Sequence, residues 1–538
     1  MSESSLIYVP TLTPTLWATL RDIYQGDEPP RLVVEMESPE LEEMFEEGEF
    51  DPIERFYTLV DEDESNGHNS NPDIAWIDYS EPGDLLLDEE LIIGRQALLN
   101  ARIQVVVLGV QALSQQSWRN TDNPERVIGV RPVFREEGLV NVEIVDAISS
   151  SQELMREFTA HLQEMRCPFS TVWLDVPGGA AQRIRTAIET EAWSLMRTSA
   201  ANPAWINRLS AEIFGREDGL FDELLARDPE VSWLETHEMA QAMYGDGRFR
   251  PLNDAYPPAS SDLWSLLTAG PDEPMVPDTY IKRPGRVLIV GTPHLAEAWK
   301  DRIYTSSQGK TKTVAWEVWD LGSITEEGLL SVKEQGPFDL ALEVLLGPPD
   351  ERQQVLDLVV PLLAKDAQVW VHTLNLPATI TVQPVPEVFT AVGFGGLIPF
   401  GESNVVELAR PRNSSPSDLA KAMGAAYGLG FQPIQVADEP GGISARLFAL
   451  LVNHAAWVLH ERLLTSPADV DAALKRAFGM NQGPFRLADT IGLDVVEAVT
   501  LGLQANLGGG RYRFCPALTL RIEAGEIGRI TDKGFYLP

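Results

Sequence analysis

The feature that most constrains the fold is a regular alternation of short apolar runs and amphipathic stretches in the second half of the chain. Residues 286–291 read RVLIVG, a buried strand that ends in glycine, and residues 295–303 can continue as a helix. Further apolar runs follow at 313–321, 338–345 and 367–372. Strands that alternate with helices favour a parallel sheet with crossover helices. From residue 442 onward the apolar residues recur at helical spacing, which predicts an all-α domain after the α/β domain.

The first half carries a weaker version of the same plan. Its strand candidates are residues 6–9, 32–36, 74–77 and 103–109. VPGG at 176–179 corresponds to EPGG at 439–442, and NVEIV at 141–145 corresponds to VVELA at 405–409. We interpret the chain as a tandem duplication. The predicted boundaries are 1–174 and 286–437 for the α/β domains, 175–252 and 438–538 for the helical domains, and 253–285 for a linker.

Length and charge narrow the classes of protein to consider. A chain of 538 residues is too long for one core, so several domains are expected. The net charge of −38 repels nucleic acid and anionic membrane surfaces, so we expect neither as a partner. No apolar run is long enough to span a bilayer, and the N-terminus does not resemble a secretion signal. With only two cysteines, reduced thiols in the cytoplasm are expected.

Two C-terminal motifs resemble a known family. Residues 481–494, NQGPFRLADTIGLD, resemble the x-x-G-P-F-x-L-x-D-x-x-G-L-D run in the helical domain of the 3-hydroxyacyl-CoA dehydrogenases. Residues 523–536, EAGEIGRITDKGFY, resemble the ending of the same family, with Ile530 in place of a basic residue. YGDGRFRP at 244–251 resembles the equivalent part of a first helical domain. The chain looks most like the long bacterial members. This implies two degenerate Rossmann-like parallel-sheet domains, each followed by a helical domain of the family's C-terminal type.

The resemblance implies a definite set of catalytic positions. The family transfers a hydride from the 3-hydroxyl carbon of an acyl-CoA to NAD, with a His as base, a Glu that orients it, and a Ser and an Asn that bind the substrate oxygen. In the second half only the Glu is retained, as Glu407. The replacements for His, Ser and Asn are Gly395, Leu374 and Ala445. These three side chains can neither carry a proton nor donate a hydrogen bond.

The first half departs from the family pattern in a similar way. Glu143 is retained, whereas Arg131 falls at the His position and Gln182 at the Asn position, with Val110 near the Ser position. Arginine stays protonated at neutral pH and cannot serve as a base. An Arg131–Glu143 pair is expected as a structural relic.

The expected phosphate loop is also degenerate. A dinucleotide needs G-x-G-x-x-G between strand and helix so that backbone N–H groups can approach the pyrophosphate. The second half reads GTPHLA from Gly291, where Pro293 replaces the second glycine and Ala296 the third, and the first half reads PTLTPT from Pro10. NAD is therefore not expected in the usual mode, and no other cofactor is predicted. Glu35 and Asp320 are interpreted as strand-end acids rather than ribose ligands.

Few side chains remain as candidates for chemistry. The catalytic candidates are Glu407, Glu143 and His372, and the cofactor-binding candidate is Gly291. His372 would be a relocated base, with His454 near the same cleft. No metal-binding, hydrolase or NTPase motif occurs, and His68 in the polar stretch 61–72 is expected to be solvated. Leu374 and Ile398 predict an apolar, filled cleft.

The leading hypothesis from the sequence is a catalytically inactive relative of the 3-hydroxyacyl-CoA dehydrogenases with a binding, scaffold or regulatory role. The alternative is an active NAD-dependent 3-hydroxyacyl-CoA dehydrogenase of fatty-acid metabolism that uses displaced residues such as His372. A third hypothesis is the sensing of an acyl-CoA ligand without turnover. The expected partners are a second copy or another protein bound through the helical domains, unless the two helical domains of one chain pack together instead.

Overall fold

The structure is a computed structural model of the whole chain. The residues it describes are 6–12, 14–24, 31–37, 58–59, 74–79, 102–108, 124–145, 151–198, 201–227, 229–249, 265, 267, 276–396 and 404–536. The predicted loop at 61–72, most of the predicted linker, Val110 and Ile398 lie outside these residues.

The first sheet has the strand order β3-β2-β1-β4-β5-β6-β7-β8. All neighbouring strands run parallel except β6 and β7, which form an antiparallel pair. The strands are β1 (Leu6–Leu12), β2 (Arg31–Glu37), β3 (Thr58–Leu59), β4 (Ile74–Tyr79), β5 (Ile103–Leu108), β6 (Val127–Arg135), β7 (Gly138–Val145) and β8 (Phe169–Val172). Helices α1 (Pro14–Ile23) and α2 (Gln152–Glu164) contribute Trp17 and Phe158 to its buried core.

The second sheet has the order β10-β9-β11-β12-β13-β14-β15, and only β13 and β14 are antiparallel. Its strands are β9 (Arg286–Gly291), β10 (Lys312–Glu317), β11 (Phe338–Val344), β12 (Leu363–His372), β13 (Thr390–Gly395), β14 (Val405–Ala409) and β15 (Gln432–Val436). Apart from the extra edge strand β3, the two sheets share one topology. Each has its first strand inside, a second strand beside it, and one antiparallel pair near the far edge.

Helices follow each sheet, as the 3.6-residue periodicity predicts. Those of the first half are α3 (Ala181–Arg197), α4 (Pro203–Phe214), α5 (Leu220–Ala226) and α6 (Pro229–Ala242). Those within the second sheet region are α7 (Pro293–Ser306), α8 (Glu326–Gln335), α9 (Pro349–Val359), α10 (Ala378–Thr381) and α11 (Pro416–Leu429). The C-terminal set is α12 (Ser444–His460), α13 (Pro467–Phe478), α14 (Pro484–Ile491), α15 (Leu493–Leu507) and α16 (Pro516–Glu523). The expected fold class, parallel Rossmann-like sheets with helical domains, is confirmed.

The helical regions of the two halves repeat one local geometry. Helix α4 ends at Gly215 and helix α13 ends at Gly479, and both glycines adopt the left-handed conformation. A side chain at Gly219 would overlap Asn207, and one at Gly483 would overlap Asp471. The same sequence interval separates Gly215 from Gly479 and Gly219 from Gly483. Helices α4 and α5 lie inside the first helical domain predicted at 175–252, although they lack most of the family motif.

The described chain divides into two compact units that do not coincide with its two halves. One unit holds the first sheet, the segment Leu234–Gly245 and the segment Val458–Gly483. The other holds the second sheet, the segment Ala187–Trp233 and the C-terminal segment Pro484–Pro538. Each unit therefore combines a sheet from one half with helices from the other. No helix in the described part of the chain is both long and apolar enough to cross a membrane.

Candidate functional site

The two retained glutamates lie on the antiparallel strand pair of each sheet. Glu407 on β14 pairs with Gly395 on β13, and Glu143 on β7 pairs with Arg131 on β6. The position expected for the catalytic His therefore faces the retained Glu in both halves. In the first half, Arg131 forms an ion pair with Asp175, and its Nη2 lies 4.0 Å from Oδ1 of that residue.

Both glutamates bind the first turn of the helix that follows the PGG motif. Ile443 N and Ser444 N donate to the two oxygens of Glu407 at 2.5 and 3.1 Å, and Ser444 Oγ donates to Oε1 at 2.5 Å. Ala180 N and Ala181 N donate to Glu143 at 3.0 and 2.8 Å. These N–H groups have no partner inside the helix, so each glutamate acts as a capping acceptor.

The glycines of the PGG motif make this contact possible. Gly442 and Gly179 have positive φ angles of 53° and 55°. A Cβ at Gly442 would overlap the carboxylate of Glu407, and one at Gly179 would overlap Glu143. Burial raises the pKa of both glutamates, and the backbone hydrogen bonds oppose that rise. The geometry accounts for two retained glutamates without any catalytic partner.

The surroundings of Gly395 leave little free space. A Cβ there would lie 3.3 Å from Thr373 Oγ1, which is a tight contact, and 3.8 Å from Glu407 Cβ. At Gly393 a Cβ would lie closer still, 2.7 Å from Thr373 Cγ2 and 2.8 Å from Ala378 Cβ. The position expected for the family's His therefore has no side chain, and adding one requires a small shift of Thr373.

The region beneath the β12 end is filled by a buried ion pair. Arg352 on α9 and Glu343 on β11 are both fully buried, with Nε and Oε1 at 3.0 Å. Arg352 also donates to the carbonyl of His372 at 2.6 Å and to Oδ1 of Asn375 at 3.0 Å. Leu374 is buried nearby, as predicted. The groups that fill this place are thus partly charged, whereas Leu374 and Ile398 had predicted an apolar filling.

The sequence contains a signal for this pair. Glu343 interrupts the apolar run LALEVL at 340–345, and a buried carboxylate needs a partner. Arg352 lies in the helix that starts immediately after the strand. A search for the partner of Glu343 would have found it.

His372 lies at the end of β12, inside an aromatic cluster. Its ring centroid is 5.0 Å from that of Phe394 and 6.1 Å from that of Trp299. Neither ring nitrogen has a hydrogen-bond partner among the described residues. Burial, assisted by the charge of Arg352, lowers the pKa of His372 to about 3. The imidazole is neutral at physiological pH and is only 3% exposed.

The loop after β9 does not offer a row of backbone donors. Gly291 has φ 137°, and a Cβ there would lie 2.5 Å from Leu345 N, so the glycine permits close packing against the chain after β11. Thr292 Oγ1 accepts from Leu346 N at 3.1 Å, and Pro293 begins α7. His294 Nε2 lies 3.4 Å from Oδ2 of Asp494, so a carboxylate of the chain already lies beside the start of α7.

Other candidate positions have local structural roles. Asp320 accepts from Ser323 N at 2.9 Å and caps a short turn, which fits the interpretation as a strand-end acid. Gln182 donates to Glu235 at 3.0 Å. The ring of His454 packs edge-on against Phe249 at 6.1 Å. Across the described residues, no group of three or more His, Cys, Asp or Glu side chains is arranged to hold a metal ion.

The fold is of the type in which a Rossmann-like parallel sheet is followed by a helical domain. Residues 441–537 match the model of the 3-hydroxyacyl-CoA dehydrogenase, C-terminal domain. The 3-hydroxybutyryl-CoA dehydrogenase of Bradyrhizobium diazoefficiens is 30% identical over 200 residues, which is 37% of this chain and 67% of that protein. A probable 3-hydroxybutyryl-CoA dehydrogenase of Bacillus subtilis is 27% identical over 212 residues, 38% of this chain and 71% of that protein.

A solved structure has a similar fold over nearly the whole chain. The 3-hydroxybutyryl-CoA dehydrogenase from Escherichia coli K12 superposes with a TM-score of 0.62 at 15% identity, and the match covers 98% of this chain and 100% of that one. The chain belongs to the 3-hydroxyacyl-CoA dehydrogenase family.

Proposed function

We propose that this chain is a family member that has lost hydride transfer and retains a binding, scaffold or regulatory role. One observation carries the proposal. Opposite Glu407, where the resemblance puts the family's catalytic His, the chain has Gly395, which carries no side chain. Without a base, the hydroxyl proton of a 3-hydroxyacyl substrate has no acceptor.

The remaining groups do not supply the missing chemistry. Glu407 accepts hydrogen bonds from two backbone N–H groups and one hydroxyl, so it is committed to capping α12. His372 is buried among aromatic rings and accessible to no substrate in this conformation. Leu374 and Ala445 stand where the substrate oxygen would need donors. An oxyanion without donors is strongly disfavoured in a dry site.

We extend the proposal to the cofactor. The family uses NAD, whose pyrophosphate requires backbone donors and a positive helix end. Here Pro293 has no N–H to offer, and Asp494 places a carboxylate 3.4 Å from His294 at the start of α7. A second anion would be repelled from this place. The proposal therefore predicts no NAD binding in the usual mode.

We also propose that the chain arose by tandem duplication, with the domain limits predicted from the sequence. The support is the shared sheet topology and the equal interval between matched residues, such as Glu143 and Glu407 or Gly215 and Gly479. We further propose a cytoplasmic location, because both cysteines are free and buried.

The second candidate function is an active NAD-dependent dehydrogenase of fatty-acid metabolism. The names of the relatives favour it, since the proteins from B. diazoefficiens and B. subtilis are both named as 3-hydroxybutyryl-CoA dehydrogenases. The retention of Glu407 and Glu143 would also be expected of an enzyme. This candidate requires a proton acceptor other than the family His, and His372 is the one that the sequence offers.

The two candidates are separated by an assay of the purified full-length chain with acetoacetyl-CoA and NADH. We expect no oxidation of NADH above the rate without protein, and the same result for His372→Ala. A rate typical of enzymes, about 1 per second or more, would contradict the proposal. Loss of that rate in His372→Ala would identify the base.

A binding measurement addresses the non-catalytic role directly. Thermal unfolding would be followed with NAD, with acetoacetyl-CoA and with CoA alone. A ligand that binds only the folded state raises the melting temperature. A shift with a CoA ester and none with NAD would identify an acyl-CoA sensor, whereas a shift with NAD would contradict our interpretation of the loop at Gly291.

A further inference from the structure

The two sheets differ at one edge, next to the second strand of each half. In the first sheet that strand is β2, and its outer edge pairs with β3, Arg31 with Thr58 and Leu32 with Leu59. In the second sheet the equivalent strand is β10, and no strand of the described chain pairs with its outer edge. One half therefore presents a sheet edge where the other half has a further strand.

The hydrogen bonds of β10 show which backbone groups face this edge. The amides of Lys312 and Val318 both donate toward β9, at 3.0 and 2.8 Å. Because peptide groups alternate in direction along a strand, the N–H and C=O groups of Thr313, Ala315 and Glu317 point to the outer edge. These three residues are partly or fully exposed. Their backbone groups are therefore accessible to another strand.

Strand β10 carries none of the usual features that protect an exposed edge. Between Lys312 and Glu317 its residues are TVAW, without proline, glycine or charge. The register with β9 runs from Lys312 to Glu317 without a shift, so no bulge interrupts the strand. Natural proteins seldom leave such an edge unpaired, because it is a template for another strand. The edge thus has the properties of an interface.

We propose that this edge joins two copies of the chain, with β10 paired to β10 of the second copy in antiparallel orientation. The proposal does not depend on whether the chain is an enzyme. A two-fold axis perpendicular to the sheet passes beside Ala315, and Thr313 lies opposite Glu317 of the second copy. In this register the outward N–H and C=O groups of the two strands bond with one another. The small side chain of Ala315 suits the position on the axis.

The charges at the two ends of β10 fit a second copy. Lys310 and Lys312 lie at the start of the strand, Glu317 and Asp320 lie at its end, and all four are exposed. Antiparallel pairing centred on Ala315 places Lys310 opposite Asp320 of the second copy, with Lys312 diagonal to that carboxylate. Parallel pairing of the same two strands would bring like charges together. Charge complementarity therefore favours the antiparallel pair at this edge, although the whole chain is acidic.

Exposed apolar side chains lie on the segments that flank β10. Helices α7 and α8 both contact the strand. Tyr304 on α7 is 64% exposed, Leu330 on α8 is 59% exposed, and Trp319, two residues beyond the strand, is 59% exposed. Pairing of the two edges brings these segments beside their counterparts in the second copy. Apolar surface removed from water there adds to the backbone hydrogen bonds.

The first test measures the mass of the full-length chain by size-exclusion chromatography with light scattering. We expect wild type at about 100 μM to have twice the chain mass of 59.4 kDa. Ala315→Pro removes an outward N–H group and no bond to β9, so this variant should fold and be monomeric. A monomeric wild type would overturn the proposal. If proline prevents folding, the charge variants keep the measurement possible.

Charge reversal tests the antiparallel register. Lys310→Glu and Asp320→Lys each replace two attractions in the dimer by repulsions, so each variant alone should dimerise about tenfold more weakly. An equal mixture of the two variants should recover dimerisation, because the mixed dimer again joins opposite charges. This recovery also controls for the hydrogen bond from Ser323 N that Asp320→Lys removes. A mixture that dimerises no better than the single variants would overturn the proposal.

A matched control is Lys365→Glu, which makes the same charge change at an exposed position near the start of β12. It should leave dimerisation unchanged, because β12 lies inside the sheet and away from the β10 edge. Equal weakening by Lys365→Glu and Lys310→Glu would show an effect of net charge alone and would contradict the specific contact.

Hydrogen exchange distinguishes this interface from one formed by the helical domains. The amides of Thr313 and Glu317 should be protected in the wild-type dimer and should lose protection on dilution and in Ala315→Pro. A contact through the helical domains would involve neither amide. A dimer that leaves both amides in fast exchange, or that persists in Ala315→Pro, would therefore overturn the proposal.

Discussion

At the scale of single residues, a side chain that is retained at a family position need not take part in catalysis. Glu143 and Glu407 keep their family positions, yet their oxygens bind backbone N–H groups at the start of α3 and α12. That capping role persists whatever stands opposite the glutamate, arginine in one half and glycine in the other.

His372 yields a prediction at the same scale. Its pKa is lowered to about 3, whereas an unfolded histidine titrates near ~6.5. The unfolded chain therefore binds a proton below pH ~6.5 that the folded chain refuses, so stability falls as the pH falls from ~6.5 toward 3. His372→Phe keeps an aromatic ring beside Trp299 and Phe394 and removes this titration.

The measurement is the free energy of unfolding in urea between pH 8 and 4.5. Wild type should lose stability more steeply than His372→Phe below pH ~6.5, by up to about 1.4 kcal/mol per pH unit. Above pH 7 the two curves should run parallel. Parallel curves over the whole range would mean that the imidazole titrates alike in the folded and the unfolded chain, and a catalytic role would regain support.

At the scale of elements, the two family motifs of the C-terminal region prove to be one structural device. Asp489 on α14 accepts from Phe535 N and Tyr536 N at 2.8 and 2.9 Å. Phe485 stacks on Phe535 with ring centroids 4.0 Å apart. The partners of Asp489 lie more than forty residues later in the chain, so the motif records long-range packing.

Removing this carboxylate should release the C-terminal segment. Asp489→Ala leaves two half-buried backbone donors without their acceptor, which costs at most about 1–3 kcal/mol. We expect that loss in urea unfolding, together with faster proteolysis near residue 535. Glu523→Ala, at an exposed position, is the matched control and should change neither. Equal stability of Asp489→Ala and wild type would show that ring stacking alone holds the segment.

At the scale of the whole molecule, segments that are close in the sequence do not always belong to the same compact unit. The segment Val458–Gly483 belongs to the unit of the first sheet, although it lies in the second half of the chain. A substitution in this segment should therefore affect strands of the first sheet, which are far away in the sequence. The effect should be absent from strands that are closer in sequence but belong to the other unit.

Hydrogen exchange measures this directly. Arg476→Glu should increase amide exchange in β7 and β8, because it breaks bonds to Asn141, Phe169 and Ser170. Strands β14 and β15 should keep their protection. Glu212→Arg should increase amide exchange in β14 and β15 and leave it unchanged in β7 and β8. Uniform loss of protection in either variant would show that the units do not unfold separately.

The sequence by itself determined the fold class and the family, and it predicts the loss of catalytic side chains. Apolar periodicity identifies strands and helices because it records which face is buried. Short motifs such as PGG and GPF identify descent, because their glycines and prolines satisfy local backbone geometry that only a few residues allow. The assignment of Gly395, Leu374 and Ala445 to the family's catalytic positions rests on fixed spacing in the sequence and stays a prediction.

Only the tertiary structure decided what these groups contact. Periodicity predicts that a face is buried but not which surface covers it. The pattern therefore predicted neither the Arg352–Glu343 pair nor that α13 belongs to the unit of the first sheet and α4 to the unit of the second. The partners of Glu143 and Glu407 could not be predicted either, because they are backbone N–H groups, which almost every residue has. Long-range pairing is settled by the summed packing and charge of the folded chain, and a local motif contains only one side of each contact.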